Sequence, residues 1–346
     1  MIVAVVAIHS NISIHNPELE NRTLFYYLLK LTSNLIWVSV PIFFFISGLL
    51  FFKEGTFSKS LYIHKLKSRL YTLLIPYILW NILYFLIVLL LQLANPNFQL
   101  LLHKSISDFN WQDYLWVFWD ISQITHLPDD QETCLVGVFW FLQCLFTLCI
   151  ISPLIYLLLK YTRHFFILLP LLLLFSDYEF SMTGINNVSI IYFCLGAYIS
   201  LMKIDFFNYL KCIPLGLSVV LILTFVVLIS YTDNNQLLSL NQLILQTAVL
   251  SLFVSLVDKY GICFSSSILS STFYIFAVHR LFTALLMHVS IIVIRYINND
   301  LLLYIYYLLL IAIAVFLSYA TYCIMTIFFP KISNILNGQR TQIISQ

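Results

Sequence analysis

Three ionisable residues sit within apolar runs of the chain. His9 lies in VAVVAIHSNI, and His279 and Arg280 lie in SSTFYIFAVHRLF. Ionisable side chains are expensive inside lipid, so each marks a functional site by default. A neutral imidazole at position 9 could take a proton from a hydroxyl nucleophile. A histidine bonded to a neighbouring helix purely for packing fits the same residue. A charged Arg280 at mid-span costs about 2.5 kcal/mol or more unless a carboxylate, a phosphate or water meets it. That points to a polar cavity, with snorkelling of the side chain as the competing account.

Other candidates lie at the ends of apolar runs. The connection 53–69 gathers Lys53, Lys59, His64, Lys65, Lys67 and Arg69 directly before LYTLLIPYILW. Such a cluster would hold a polyphosphate, with Arg69 able to grip it bidentately. Retention of positive charge on the cytoplasmic side produces basic loops as well. Ahead of it, VPIFFFISGLLFFK places Ser47 and Gly48 where a helix or a slender ligand can approach the backbone. In GVFWFLQCLF, Trp140 and Gln143 share a helical face, as a ligand wall or as an aromatic anchor. The seven cysteines are scattered, with neither a CxxC pair nor zinc spacing, so no metal is expected. No phosphate-cradling GxxxxGK loop, GxGxxG turn or GxSxG elbow occurs.

The elements that position these residues must be membrane helices. The chain is 61% hydrophobic and only 9% charged, with mean hydropathy +0.95, more apolar surface than a water-soluble core could hide. A helix needs about 20 residues to cross the hydrocarbon. Ten runs are candidates: 1–14, 35–52, 70–93, 135–159, 164–177, 188–202, 213–231, 240–257, 267–294 and 302–329. The expected fold is an all-α polytopic bundle of about ten transmembrane helices in one domain, 1–330, with a short tail, 331–346. If the first helix runs outward, twelve of the seventeen basic residues fall on cytoplasmic connections, and twelve of the fifteen acids, among them Asp129, Asp130 and Glu132, fall outside. Both termini are then cytoplasmic. The outer connection 94–134 interleaves Trp111, Trp116 and Trp119 with acids, as an amphipathic lid or an interfacial tryptophan belt.

The order of these pieces resembles the membrane acyltransferase-3 family over about 1–330. An early span carrying a histidine is followed by VPIFFFISGLLFF, a basic stretch closing on SRLYTLLIPYILW, then VFWFLQCLF and TFYIFAVHRLF. The resemblance implies transfer of an acetyl or related acyl group from coenzyme A to a hydroxyl of an envelope glycan, at the inner membrane. It implies His9 as catalytic base, Ser47 and Gly48 as the FFxxSG element, and Arg69 as the basic residue before LLIPY. It also implies Trp140 as the WFL element and His279 as the late histidine, catalytic or orienting. Lys65, Lys67, Arg69 and Ser47 would contact acetyl-CoA, the donor substrate rather than a bound cofactor, and Trp140 and Arg280 the acceptor. The expected partners are acyl-CoA, a glycan or lipid-linked sugar, and the bilayer, with no nucleic acid. Two departures stand out. The family's arginine eleven positions before the first histidine falls ahead of Met1, and 1–14 spans only about 21 Å, so the natural chain is expected to begin upstream. Thr72 stands where a second basic residue is usual, a charge that Lys65 or Lys67 would supply instead. A transporter or flippase is the rival reading, since buried His and Arg also mark transport paths; a polysaccharide polymerase is another, although it would carry arginine-rich outer loops.

Overall fold

The computed structural model describes residues 1–12, 19, 21–55, 57–95, 102, 104–125, 133–176 and 179–340. Asp129, Asp130 and Glu132 of the outer connection lie outside these, as do 13–14 of the first apolar run. The first five helices are α1 (Ile2–Ile8), α2 (Thr23–Ile36), α3 (Ser39–Phe51), α4 (Lys59–Arg69) and α5 (Ile75–Ala94). Two short helices follow, α6 (Asp113–Trp116) and α7 (Ser122–Thr125), and then α8 (Trp140–Thr162), α9 (Leu168–Phe175), α10 (Asn187–Leu201) and α11 (Phe206–Lys211). The chain closes with α12 (Leu215–Ser230), α13 (Asn235–Tyr260), α14 (Ser266–Val293), α15 (Asp300–Phe328) and α16 (Pro330–Leu336). A two-residue hairpin, β1 (Ser181–Met182) against β2 (Ile185–Asn186), leads into α10.

Among the described residues, six helical stretches are long and apolar enough to cross a membrane: Thr23–Phe51, Lys59–Ala94, Gly137–Phe175, Asn235–Tyr260, Ser266–Tyr296 and Asp300–Phe328. Two further apolar helices are shorter, Asn187–Leu201 and Leu215–Ser230. The protein is a multi-pass membrane helix bundle. Polar residues start its helices where the apolar runs begin. Asn234 accepts from the Leu237 amide at 2.9 Å and Asn299 from Leu302 at 3.0 Å, and Asn186 forms a capping box with Ser189. Each cap satisfies an N–H group that would otherwise be left without a partner at a helix start.

The basic stretch before the third apolar run is helical, with Ser58 accepting from the Leu61 amide at 3.2 Å. It continues into α5 through a π-turn over Leu70–Leu74. Pro76 has no N–H to offer the Thr72 carbonyl four residues back, which is the reason for a widened turn there.

Tight crossings hold the bundle. A Cβ on Gly48 would collide with the Phe193 carbonyl, so only glycine allows α3 and α10 to approach this closely. Two apolar clusters meet along α14. Tyr274, Ala277 and Val278 belong to the larger one, with α3, α5, α8 and α10. Ile275 and Met287 belong to the other, with Val6, Ala7, Phe25, Leu303, Tyr307 and Ala314. The described part of the 94–134 connection packs on the bundle and is tied internally. Gln143 donates to the Trp119 carbonyl at 2.7 Å, Thr183 to Asp120 at 2.8 Å and Lys104 to Asp113 at 2.9 Å, while Trp111 stays exposed.

Candidate active site

His9 closes the C-terminal end of α1, where the Tyr307 hydroxyl donates to the Ala7 carbonyl at 3.3 Å. Burial of Val6, Ala7 and Ile12 among α14 and α15 side chains fixes that end of the helix. Its ring lies 5.5 Å from that of His279, centroid to centroid. Residues 270 apart in sequence thus form an imidazole pair on the boundary between the two apolar clusters.

The two rings differ in environment. His9 keeps partial accessibility; His279 is 0% exposed. Nδ1 of His279 lies 3.0 Å from the Ile275 carbonyl, a contact that requires Nδ1 to carry the proton and leaves Nε2 as an acceptor. That Nε2 has no hydrogen-bond partner among the described residues. A buried polar atom without a partner is uncommon and costs about 1–3 kcal/mol, so it calls for a ligand group, here a hydroxyl or water. Arg280 follows directly, half-buried, within electrostatic range of His9 and Tyr84 and without an ion pair among the described residues. Tyr84, fully buried, donates to the Ala277 carbonyl at 2.9 Å and secures this part of α14 against α5.

Aromatic rings pave the wall around the pair. Phe276 lies 6.3 Å from His279, stacks on Phe139 at 5.7 Å and meets Phe273 at 6.2 Å. A surface cleft enclosing about 300 Å³, part of it open solvent, is lined by Tyr77, Trp119, Leu142 and Gln143. Neither histidine lines it. The contacts Tyr77–Phe139, Phe139–Phe276 and Phe276–His279 intervene.

The remaining candidates fall elsewhere. Gly48 serves the α3–α10 crossing, and Ser47 beside it is half-buried with no side-chain hydrogen bond among the described residues. Trp140 packs on Phe44 at 6.0 Å, and Gln143 ties α8 to the Trp119 carbonyl. Lys65 is bonded to Glu54 and to the Phe51 carbonyl, whereas Lys67 is exposed. Arg69, half-buried at the π-turn, lies within electrostatic range of Cys149 and of Arg340. Among the described residues, no group of three or more His, Cys, Asp or Glu is placed to hold a metal ion.

A family profile described as an acyltransferase domain, acyltransferase-3, matches residues 1–323. The chain belongs to the acyltransferase-3 family. Membership makes the protein a membrane acyltransferase. Comparison with curated proteins and with solved structures returned no match. The sequence marks both histidines, as polar residues amid apolar runs, but no motif marks the anchors Tyr307 and Tyr84, nor Arg340.

Proposed function

We propose that this acyltransferase moves an acetyl or related acyl group from acyl-coenzyme A to a hydroxyl of a cell-envelope glycan, working in the inner membrane with ten spans and both termini cytoplasmic. The observation that carries the chemistry is the imidazole pair with an unpartnered acceptor nitrogen. His9, the more accessible ring, takes the hydroxyl proton as the alkoxide oxygen bonds to the thioester carbonyl carbon. Collapse of the tetrahedral intermediate breaks the C–S bond. The coenzyme A thiolate leaves and recovers the proton from the imidazolium, giving ester and free thiol. Nε2 of His279 accepts from a second hydroxyl of the acceptor or from a water beside it, which holds the attacking oxygen in place, and Arg280 supplies positive charge as the carbonyl oxygen becomes anionic.

The donor's phosphates are assigned to the end of the bundle bearing Lys65, Lys67 and Arg69. From Ser270, near that end, to His279 the rise along α14 is about 13.5 Å, which a pantetheine arm would climb past Ser47 on the facing helices. Trp140 and Arg280 are assigned to the acceptor side. Mass analysis of envelope glycans with and without the gene tests donor group and acceptor together. An acyl-sized mass difference supports the assignment; identical glycans alongside acyl transfer to a small secreted alcohol would replace the acceptor.

A further inference from the structure

We propose that Arg340 and Arg69 form a phosphate-binding clamp at one end of the bundle, closed by the chain's own C-terminal segment. The segment after the last long helix is strapped to the bundle at four points. Trp80 Nε1 donates to the Leu336 carbonyl at 3.0 Å, and Asn337 Nδ2 to the Ser270 carbonyl at 2.6 Å. Gly338, at φ +67°, backs onto the Thr72 carbonyl so closely that a Cβ would collide with it. That carbonyl is the one Pro76 deprives of its helical donor, one turn beyond Arg69. The guanidinium of Arg340 then lies 4.1 Å from the centre of the Phe273 ring.

The strap thus brings Arg340 beside the π-turn that follows Arg69, with the two guanidinium groups within electrostatic range of each other. Neither has a carboxylate partner among the described residues: the ion pairs there join Arg22 to Asp300, Lys65 to Glu54, Lys104 to Asp113 and Lys211 to Asp258. Arg340 spends one N–H on the Asn337 carbonyl at 3.1 Å, and its other four donors make no hydrogen bond among the described residues. Burial first, and the charge of Arg69 second, pull its pKa down to about 10. Two like charges within electrostatic range, with no carboxylate partner among the described residues, favour an anion nearby, and planar forks suit phosphate oxygens in particular. Phe273 joins the clamp to the histidines, since Phe273, Phe276 and His279 are successive ring neighbours, with about 9 Å of rise along α14. That the occupant is a phosphate of the donor rests on the function proposed above; an anionic phospholipid headgroup offers the same chemistry.

Binding to the full chain in nanodiscs separates these. Coenzyme A and phosphate-free pantetheine would be titrated into wild type, R340A and R69A in phosphatidylcholine discs. Retained phosphatidylglycerol would be counted by native mass spectrometry in mixed discs. Loss of a charge-assisted contact should weaken coenzyme A binding about ten- to a hundredfold in either variant, with pantetheine unchanged. R340K should recover only part, lacking the fork. Gly338→Ala, which lifts the strap while keeping both arginines, should weaken coenzyme A in the same direction. Should R340A fail to fold, R340Q, which keeps an N–H for the Asn337 carbonyl, carries the same expectation. Wild type that ignores coenzyme A yet retains phosphatidylglycerol through Arg340 would keep the clamp and sink the donor reading. Arginine variants equal to wild type toward both ligands would overturn the clamp.

Discussion

Replacing His279 by Asn separates catalysis from architecture. The ring is fully enclosed, so His279→Ala would leave a cavity beside His9 and Phe276 and cost about 2–5 kcal/mol, enough to confuse lost activity with lost fold. Asn presents its Nδ2 near the position of Nδ1, so the bond to the Ile275 carbonyl survives, while the basic nitrogen at Nε2 is gone. His9→Ala is the counterpart on the more accessible ring, which makes no side-chain hydrogen bond among the described residues. A positioned general base is worth about 10²–10⁴-fold. Coenzyme A release by the protein in nanodiscs should therefore fall by that factor in kcat for His9→Ala, with the donor KM nearly unmoved and the melting temperature kept. His279→Asn should lose about 10²-fold at equal stability. If both rings serve one proton transfer, the double variant should be scarcely slower than His9→Ala alone. A stable His9→Ala protein within threefold of wild-type kcat would refute the reasoning, whatever His279→Asn does.

Three further outcomes follow from the geometry. Gly48→Ala should separate α3 from α10 and lower stability by about 1–3 kcal/mol, read as a drop in melting temperature in detergent; an unchanged midpoint would mean the crossing relaxes freely. Tyr307→Phe removes the hydroxyl that holds the Ala7 carbonyl and should cost about 0.5–1.5 kcal/mol, with kcat falling further than stability alone explains because His9 loses its support; wild-type kcat would sink this. The hydrogen bond from Lys65 holds the Glu54 carboxyl below its usual range, so the pair persists at neutral pH and is lost only as pH falls through that lowered value. Glu54→Gln should free Lys65 at neutral pH and tighten donor KM up to about fivefold, the worth of an exposed pair, and an unmoved KM would remove Lys65 from the donor site.

The helical content and the membrane environment were legible because a run of apolar residues in lipid can bury its backbone polarity only as helix. His9, His279 and Arg280 were legible for the same reason, as polar residues amid such runs. Their pairing was not, since nothing local in VAVVAIHSNI or FAVHRLF says that helices 270 residues apart cross at those rings. The Gly48 crossing was open to either reading, and the Phe193 carbonyl decided it for packing. Nothing in the basic stretch tells Lys65 from Lys67, yet Glu54, eleven residues before Lys65, holds it while Lys67 stays exposed. The C-terminal strap carries no sequence signature: Trp80 and Asn337 donate to the carbonyls of Leu336 and Ser270, and Gly338 meets that of Thr72, acceptors whose residue types give no hint of it.

The placement of the imidazoles on the seam between two apolar clusters bears on how a bulky alcohol could reach them. In water, parting two greasy faces is penalised; in a bilayer, acyl tails wet both faces as well as the faces wet each other. If the acceptor is carried on a polyprenyl-like tail, sideways breathing along α14 would give it a lateral door that a soluble sugar lacks. A covalent staple between α1 and α14 would bolt that door, and turnover of a lipid-borne acceptor undiminished by the staple would show that entry lies elsewhere.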